Sequence, residues 1–225
     1  MGFVALGVWQ LERRVWKHAL IARVEQRAHA EPVAAPGPAE WPQVSAARYE
    51  YRRVRVTGIF LHEAETSVQA VTDLGPGWWV LTPLRQADGS IVIVNRGFVP
   101  PERRERATRP AGNPPGEVAV VGLLRISEPG GGFLRRNDPA AGRWYSRDVP
   151  AIAAARGLGP VAPYFVDAER ASAAVAEAPV GGLTVLDFRD NHLLYALTWF
   201  ALAVLAAVAA VTFARVGRHV GAEPE

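Results

Sequence analysis

The clearest pattern in the chain is an uncharged, apolar stretch near the C-terminus, residues 193–214. As a helix rising about 1.5 Å per residue it would be roughly 33 Å long, enough to cross the hydrocarbon core of a bilayer. Tyr195 and Trp199 stand near one end, as in an interfacial aromatic belt, and Arg215 follows the other end. The pattern therefore predicts a transmembrane helix over residues 191–215. A buried core helix is the less favoured alternative, because globular helices are rarely this long and this apolar.

The N-terminal region, residues 1–30, combines two patterns. Residues 1–8 are apolar, but a helix of that length would reach only about 12 Å, and they lack the charged start and the cleavage site of a signal peptide. We interpret them as the remnant of a first membrane helix. From residue 9 onwards apolar side chains recur at three- and four-residue steps beside basic ones, which predicts an amphipathic basic helix. Trp9 and Trp16 on this helix suit a membrane surface, and packing against a folded domain is an equal alternative.

Between the two helical regions the pattern changes to that of β-strands. Four prolines predict an extended linker over residues 31–42. Residues 53–56 then alternate polar and apolar, as in a half-buried strand, and an Asp-Gly pair at residues 88–89 predicts a hairpin between two apolar runs. The expected fold class is an α+β membrane protein, in which a β-rich, antiparallel domain over residues 43–190 is flanked by a truncated N-terminal and a complete C-terminal membrane helix.

Composition excludes several classes of function. The chain has no cysteine, which removes disulfides, thiolate metal sites and thiol catalysis, and its single methionine is Met1, which disfavours delivery of Cu(I). A net charge of +3 with both signs scattered argues against nucleic acid as a partner. The five histidines have no metal-ligand spacing, and the common catalytic sequence motifs are absent. We therefore expect a protein that is not an enzyme.

His192 is the histidine that suggests chemistry. It stands where the predicted membrane helix begins, and imidazole is a common ligand of haem iron. Tyr195 and Trp199 follow one and two helical turns later and would flank a porphyrin, although an ordinary interfacial belt contains the same rings. The alternative is that His192 is a polar residue in the headgroup layer or at the helix start. The residues alone leave both interpretations open.

Three blocks of sequence resemble those of the Surfeit locus protein 1 family. In chain order they read LGVWQLERR, VNRGFVP and NHLLYALTW, and together with shorter matches they cover nearly the whole chain. Each block is short, but their order and spacing are specific. One departure is Asp190, where the family usually has asparagine. Besides His192, the residues of this chain that match the family motifs are Trp9, Asn95, Arg96, Gly97 and Asn191.

The resemblance implies an assembly factor or chaperone for cytochrome c oxidase, with the β-rich domain outside the bacterial cytoplasm or in the mitochondrial intermembrane space. It implies as partners the catalytic subunit of the oxidase, the haem a delivery machinery and membrane lipid. Haem a would be a transient cofactor, with His192 as the contact to its iron. Two alternatives stay open: an interaction module that stabilises the oxidase subunit without haem, and a membrane-tethered periplasmic enzyme.

The same resemblance, with the visible composition, gives an expected location. No transit peptide is visible and the chain is rich in alanine, arginine and glycine, which favours the bacterial plasma (inner) membrane. The full-length protein would be multi-pass, with residues 216–225 as a cytoplasmic tail. Arg215 and Arg218 agree with a cytoplasmic C-terminus.

Overall fold

The computed structural model of this protein describes residues 2–171, 177–185 and 190–220. They belong to two compact units, Met1–Glu25 with Leu186–Glu225 and Gln26–Val185. The α-helices of the described residues are α1 (Gly2–His29), α2 (Ala46–Tyr49), α3 (Val149–Ala155) and α4 (His192–Val220). The strands are β1 (Val33–Ala34), β2 (Arg53–Phe60), β3 (Thr66–Thr72), β4 (Gly75–Arg85), β5 (Ile91–Val99), β6 (Glu117–Ile126), β7 (Gly131–Gly132), β8 (Arg135–Arg136) and β9 (Val161–Ala168).

Helix α4 belongs to the first unit and carries the predicted membrane span. Within the described residues it is the one helix that is long and apolar enough to cross a bilayer, over His192–Phe213. Its apolar side chains are largely exposed, as at Leu205, which is 64% exposed, so α4 is not a helix buried in a protein core. The complete C-terminal membrane helix of the expected fold class is thereby supported.

Helices α1 and α4 pack together within the first unit. Phe3 stacks on Trp199 with the ring centroids 5.9 Å apart. Gly7 faces Phe200 so closely that an added Cβ would lie 2.5 Å from the ring. Ala196 is almost completely buried. Small residues at such positions let the backbones of two helices approach each other closely.

Three further segments predicted from the sequence have different outcomes in the structure. Helix α1 begins at Gly2 and continues without a break to His29. Because only α4 of the described residues is long and apolar enough to span a bilayer, the origin of residues 1–8 in a membrane helix stays a prediction. The proline-rich residues 31–42 contain β1, which pairs in parallel with β2, and most of the single-turn helix Trp41–Gln43. Of the predicted tail, residues 216–220 continue α4, and residues 221–225 lie outside the described part of the chain.

The second unit is built on a closed barrel of five strands. Their order is β2-β6-β9-β5-β4, and β4 returns to β2 through the pairs Ile59 with Arg85 and Phe60 with Leu84. This order is that of the OB-fold, a small Greek-key barrel. The expectation of a β-rich domain is confirmed, but its purely antiparallel character is wrong, because β5 and β9 run parallel. The long connection through β6 and α3 allows β9 to return in that direction.

The barrel encloses the main core, to which alternate residues of its strands contribute. Val54, Val56 and Phe60 of β2 are buried, whereas the residues between them are mostly exposed. Gly58 lies where β2 leaves β6 and meets β4, and an added Cβ there would lie 2.3 Å from the carbonyl oxygen of Arg85. Glycine at this position therefore permits the close approach that shuts the barrel.

A second, smaller core lies on the outer face of the barrel beneath α3. Trp144, Val149 and Ile152 pack there against Ile93 and Phe165 of the sheet. Helix α3 begins at a side-chain cap: the Asp148 carboxylate accepts a hydrogen bond from the Ala151 N–H at 3.2 Å, and Pro150 occupies the first turn. This helix fills the connection between β6 and β9.

Candidate functional site

The predicted site residues lie in both units. The first unit contains Trp9, Asn191, His192, Tyr195 and Trp199, and the second contains Asn95, Arg96 and Gly97. The two groups have different environments. The first surrounds the start of α4, and the second lies at the end of β5.

His192 is the first residue of α4 and is held at both its backbone and its ring. Its N–H donates to Oδ1 of Asp190 at 3.0 Å, which satisfies one of the free amides at the helix start. Its Nδ1 lies 2.7 Å from Oε1 of Gln10 on α1. With this oxygen as acceptor, Nδ1 carries the ring proton and Nε2 keeps its lone pair. None of the described residues bonds to Nε2.

Asp190 links the start of α4 to two further residues of α1. Its Oδ2 lies 2.6 Å from Nε2 of His18 and 3.4 Å from Nε of Arg14. The N–H of His192 and the ring of His18 hold the pKa of Asp190 below its ordinary value. Gln10, Arg14 and His18 follow one another at four-residue steps and so share one face of α1. The sequence analysis did not identify these three residues as site residues. Their four-residue spacing, which places them on one helix face, is the signal that could have identified them.

The aromatic residues predicted to flank a porphyrin have separate positions. Trp199 lies against Phe3 as described, whereas Tyr195 is 54% exposed and its N–H donates to the carbonyl oxygen of Asn191 at 3.1 Å. Trp9 is also exposed, at 53%. The exposed side chain of Tyr195 can therefore contact a ligand or lipid, whereas one face of the Trp199 ring is already covered by Phe3.

In the second unit, Asn95 belongs to a buried polar cluster centred on Asp167. The Nδ2 of Asn95 donates to Oδ1 of Asp167 at 2.8 Å, and Oδ1 of Asn95 accepts from the Gly97 N–H at 3.2 Å. Asp167 is only 4% exposed and also accepts from Nη1 of Arg125 and of Arg147, each at 3.1 Å. A buried carboxylate with this many donors is fully satisfied, so the cluster fixes β5, β6 and β9 to one another.

Glu128 completes the charge balance of the cluster. Its carboxylate forms a bidentate pair with the Arg147 guanidinium. Burial raises the pKa of Glu128, but the hydrogen bond and charge of Arg147, with the charge of Arg125, outweigh this and hold the pKa below its ordinary value. Glu128 therefore stays ionised at neutral pH, and its charge offsets that of the Arg147 guanidinium within the cluster.

Gly97 positions the segment that leads from the barrel towards α4, which we call the strap (residues 179–185). Gly97 has φ of +127°, and an added Cβ would lie 2.3 Å from the carbonyl carbon of Val180. Phe98 and Val180 exchange two backbone hydrogen bonds of 2.9 and 2.8 Å, and Thr184 donates to Oδ2 of Asp167 at 3.0 Å. The strap and the Asp167 cluster line a cavity of about 250 Å³.

Arg96 follows Asn95 on β5, so its side chain lies on the opposite face of the strand. Its guanidinium lies over the ring of Phe60 and 3.8 Å from Glu65, which is itself paired with the fully buried Arg109. Burial lowers the pKa of Arg96 to about 10, the charge of Glu65 opposes this shift, and Arg109 adds to it. Asn95, Arg96 and Gly97 therefore serve three structural tasks at neighbouring positions.

The two places differ in what they can do chemically. The start of α4 presents Nε2 of His192, to which no described residue bonds, whereas the Asp167 cluster uses its donors and acceptors internally. Within the described residues there is no group of three histidine, aspartate or glutamate side chains that could hold a metal ion. A ligand that bonds through a single imidazole fits the first place.

Comparison with known proteins identifies the family. A sequence profile of the SURF1 family matches residues 1–204, which include α1, the barrel and the first part of α4. The chain is 38% identical to Surfeit locus protein 1 of Mus musculus over 213 residues, 88% of this chain and 67% of the mouse protein. Identity to the human protein is 37% over 214 residues, covering 88% and 69%. A SURF1-like protein of Monosiga brevicollis is 36% identical over 213 residues, covering 89% and 78%. Since the similarity spans both units at this level, the chain belongs to the SURF1 family.

Proposed function

We propose that this protein is an assembly factor for cytochrome c oxidase that acts in the membrane on the catalytic subunit of the oxidase. The observation that carries the proposal is the family match, which extends over the barrel and into the membrane helix α4. A chain that joins a folded domain to a spanning helix is suited to a membrane-embedded client. The haem a delivery machinery is the second proposed partner.

The proposed location is the bacterial plasma membrane, with the barrel unit outside the cytoplasm and the C-terminus inside. The apolar length of α4 supports membrane association, and Arg215 directly after its uncharged stretch supports the orientation. The full-length protein is proposed to be multi-pass.

We further propose that the protein handles haem a through His192. The fit rests on the contact with Gln10: when Oε1 of Gln10 accepts, the proton is on Nδ1 and the Nε2 lone pair is available to iron. Tyr195, one turn later and exposed, and Trp199, whose ring also contacts Phe3, would be the aromatic residues that contact the porphyrin. Bound haem supplies an iron that accepts a nitrogen ligand, and the chain holds and orients the imidazole.

A second function has its own support in the structure. The bond from His192 to Gln10 joins α4 to α1, so His192 also serves helix packing without any haem. In that case the protein is an interaction module that stabilises the oxidase subunit through protein contacts alone. The two functions differ in which nitrogen of His192 matters.

A pair of substitutions separates these functions in a deletion strain complemented with each variant. His192→Asn keeps an N–H donor close to the position of Nδ1 but removes Nε2, whereas Gln10→Leu removes the acceptor and keeps Nε2. If haem handling is correct, His192→Asn lowers the haem absorbance of the purified protein and the haem content of the oxidase, and Gln10→Leu affects both less.

The readouts also test the wider proposal. Loss of oxidase activity in the deletion strain supports the assembly role, and unchanged activity there overturns it. Normal haem content and normal oxidase assembly with His192→Asn, together with weakened oxidase assembly with Gln10→Leu, would instead assign His192 to helix packing.

A further inference from the structure

Two hairpin tips of the second unit expose large apolar side chains. The tip between β7 and β8 carries Phe133 and Leu134, which are 91% and 89% exposed. The tip between β3 and β4 carries Val71, 83% exposed, and Leu74, 56% exposed. Single exposed apolar residues are ordinary on protein surfaces, but a Phe-Leu pair almost wholly in solvent at a hairpin tip is not explained by the folding of the domain.

The two tips belong to one surface. Nη1 of Arg135, which directly follows Leu134, donates to Oε1 of Gln69 on β3 at 3.1 Å. Gln69 and Val71 are two residues apart on the same strand and therefore share a face. The N–H of Gln69 bonds to the carbonyl oxygen of Trp144 at 2.8 Å, which ties β3 to the chain that follows the second hairpin. We call the set Val71, Leu74, Phe133 and Leu134, with the adjoining arginines, the hairpin surface.

The charge of this surface is positive. Arg135 and Arg136 are both exposed, and neither takes part in an ion pair among the described residues. Arg135 lies over the ring of Tyr145, with 5.4 Å from its guanidinium carbon to the ring centroid, so its charge is not cancelled by an acid. Asp73 is the acidic residue on the β3–β4 tip. Apolar side chains beside arginines are the combination that binds the interface of an anionic bilayer.

We propose that the hairpin surface inserts its apolar tips into the interfacial layer of the membrane that α4 spans, with Arg135 and Arg136 on anionic lipid phosphates. A bilayer is favoured over a protein partner because the chain is already attached to one. The chain between Val185 and His192 can extend at most about 25 Å. Val185 lines the same cavity as Trp79 of β4, the strand that begins directly after Leu74. Tethering of this kind raises the effective concentration of lipid at the surface.

The absence of cysteine from the chain makes a site-specific test possible. Leu134→Cys in the full chain is labelled with a nitroxide and placed, one chain per disc, in lipid nanodiscs of phosphatidylglycerol or of phosphatidylcholine. Its matched control is Ala87→Cys, exposed in the β4–β5 turn at the far end of β4 from Leu74. Power-saturation electron paramagnetic resonance then compares access of oxygen, which is concentrated in lipid, with access of a water-soluble nickel chelate.

The proposal expects the ratio of oxygen to nickel access at residue 134 to exceed that at residue 87 several-fold in phosphatidylglycerol. Arg135→Ser with Arg136→Ser should lower the ratio at residue 134. Equal ratios at the two labels overturn the proposal. Two other outcomes also overturn it. A raised ratio at residue 134 that appears only with several chains per disc indicates contact with a second copy. A raised ratio that appears only after addition of the oxidase subunit indicates a protein partner.

Discussion

Replacing Asp167 by asparagine tests whether the buried polar cluster holds the barrel together. Asparagine has nearly the same shape, but its NH₂ group would face donors of Asn95, Arg125, Arg147 or Thr184 where a carboxylate oxygen now accepts. Breaking a buried ion pair from one side typically costs about 3–5 kcal/mol, because the remaining charge is left without its partner.

The structure favours the lower part of that range. Arg147 keeps its bidentate pair with Glu128, and Arg125 keeps Glu50 at 3.5 Å, so neither guanidinium is left without an acid. We therefore expect Asp167→Asn to lower the free energy of unfolding by about 3 kcal/mol, a large part of the total for an ordinary domain. Urea unfolding of the full chain in detergent micelles, followed by tryptophan fluorescence, measures this loss.

The matched control is Asp138→Asn. Asp138 pairs with Arg143 at 2.6 Å, but on the surface, where solvent screens the pair and asparagine can still accept the Ala141 N–H. This variant should unfold close to the wild-type urea concentration. If Asp167→Asn is as mild as the control, the cluster contributes little to stability and the reasoning is wrong.

Two more predictions concern the same region. Gly97→Ala should lower the free energy of unfolding by roughly 2–5 kcal/mol, because it strains the backbone and breaks the two hydrogen bonds between Phe98 and Val180. Its control, Gly37→Ala, should be nearly neutral, because an added Cβ there meets no atom within 4 Å. The urea concentrations at the unfolding midpoints, compared at equal slope, test this prediction. The pKa of Glu128 in the folded protein lies below its unfolded value of 4.5. Its ionised carboxylate therefore stabilises the folded state above pH 4.5, and this stabilisation is lost as the pH falls through the folded pKa. Between about pH 6 and about pH 3, the free energy of unfolding should therefore fall less in Glu128→Gln than in the wild-type protein. An equal fall in both proteins would contradict this assignment.

The elements that sequence reasoning predicted are those set by local signals. The span of α4 follows from its uncharged length. The β4–β5 hairpin follows from Asp88 and Gly89, and the φ of +83° at Gly89 is the conformation that the turn requires. Strand β3 was missed, because its residues 66–72 contain polar positions that give no strong periodicity. Its burial depends on pairing with β4 and on cover from Trp144.

The polar cluster was beyond sequence reasoning for a different reason. Asn95 and Asp167 are 72 residues apart, and Arg125 is 42 residues from Asp167, so only the strand order brings them together. That order includes a parallel pair, which alternation along a single strand does not reveal. The resemblance to a family selected Asn95 to Gly97 without saying why they matter, and the structure supplies a contact for each.

The position of β9 in the barrel determines when the domain can fold during synthesis. Strand β9 lies between β5 and β6, so both have an unpaired edge until residues 161–168 leave the ribosome. Only a short stretch then separates β9 from α4, which begins at His192. Barrel closure and membrane insertion of α4 therefore fall close together in time.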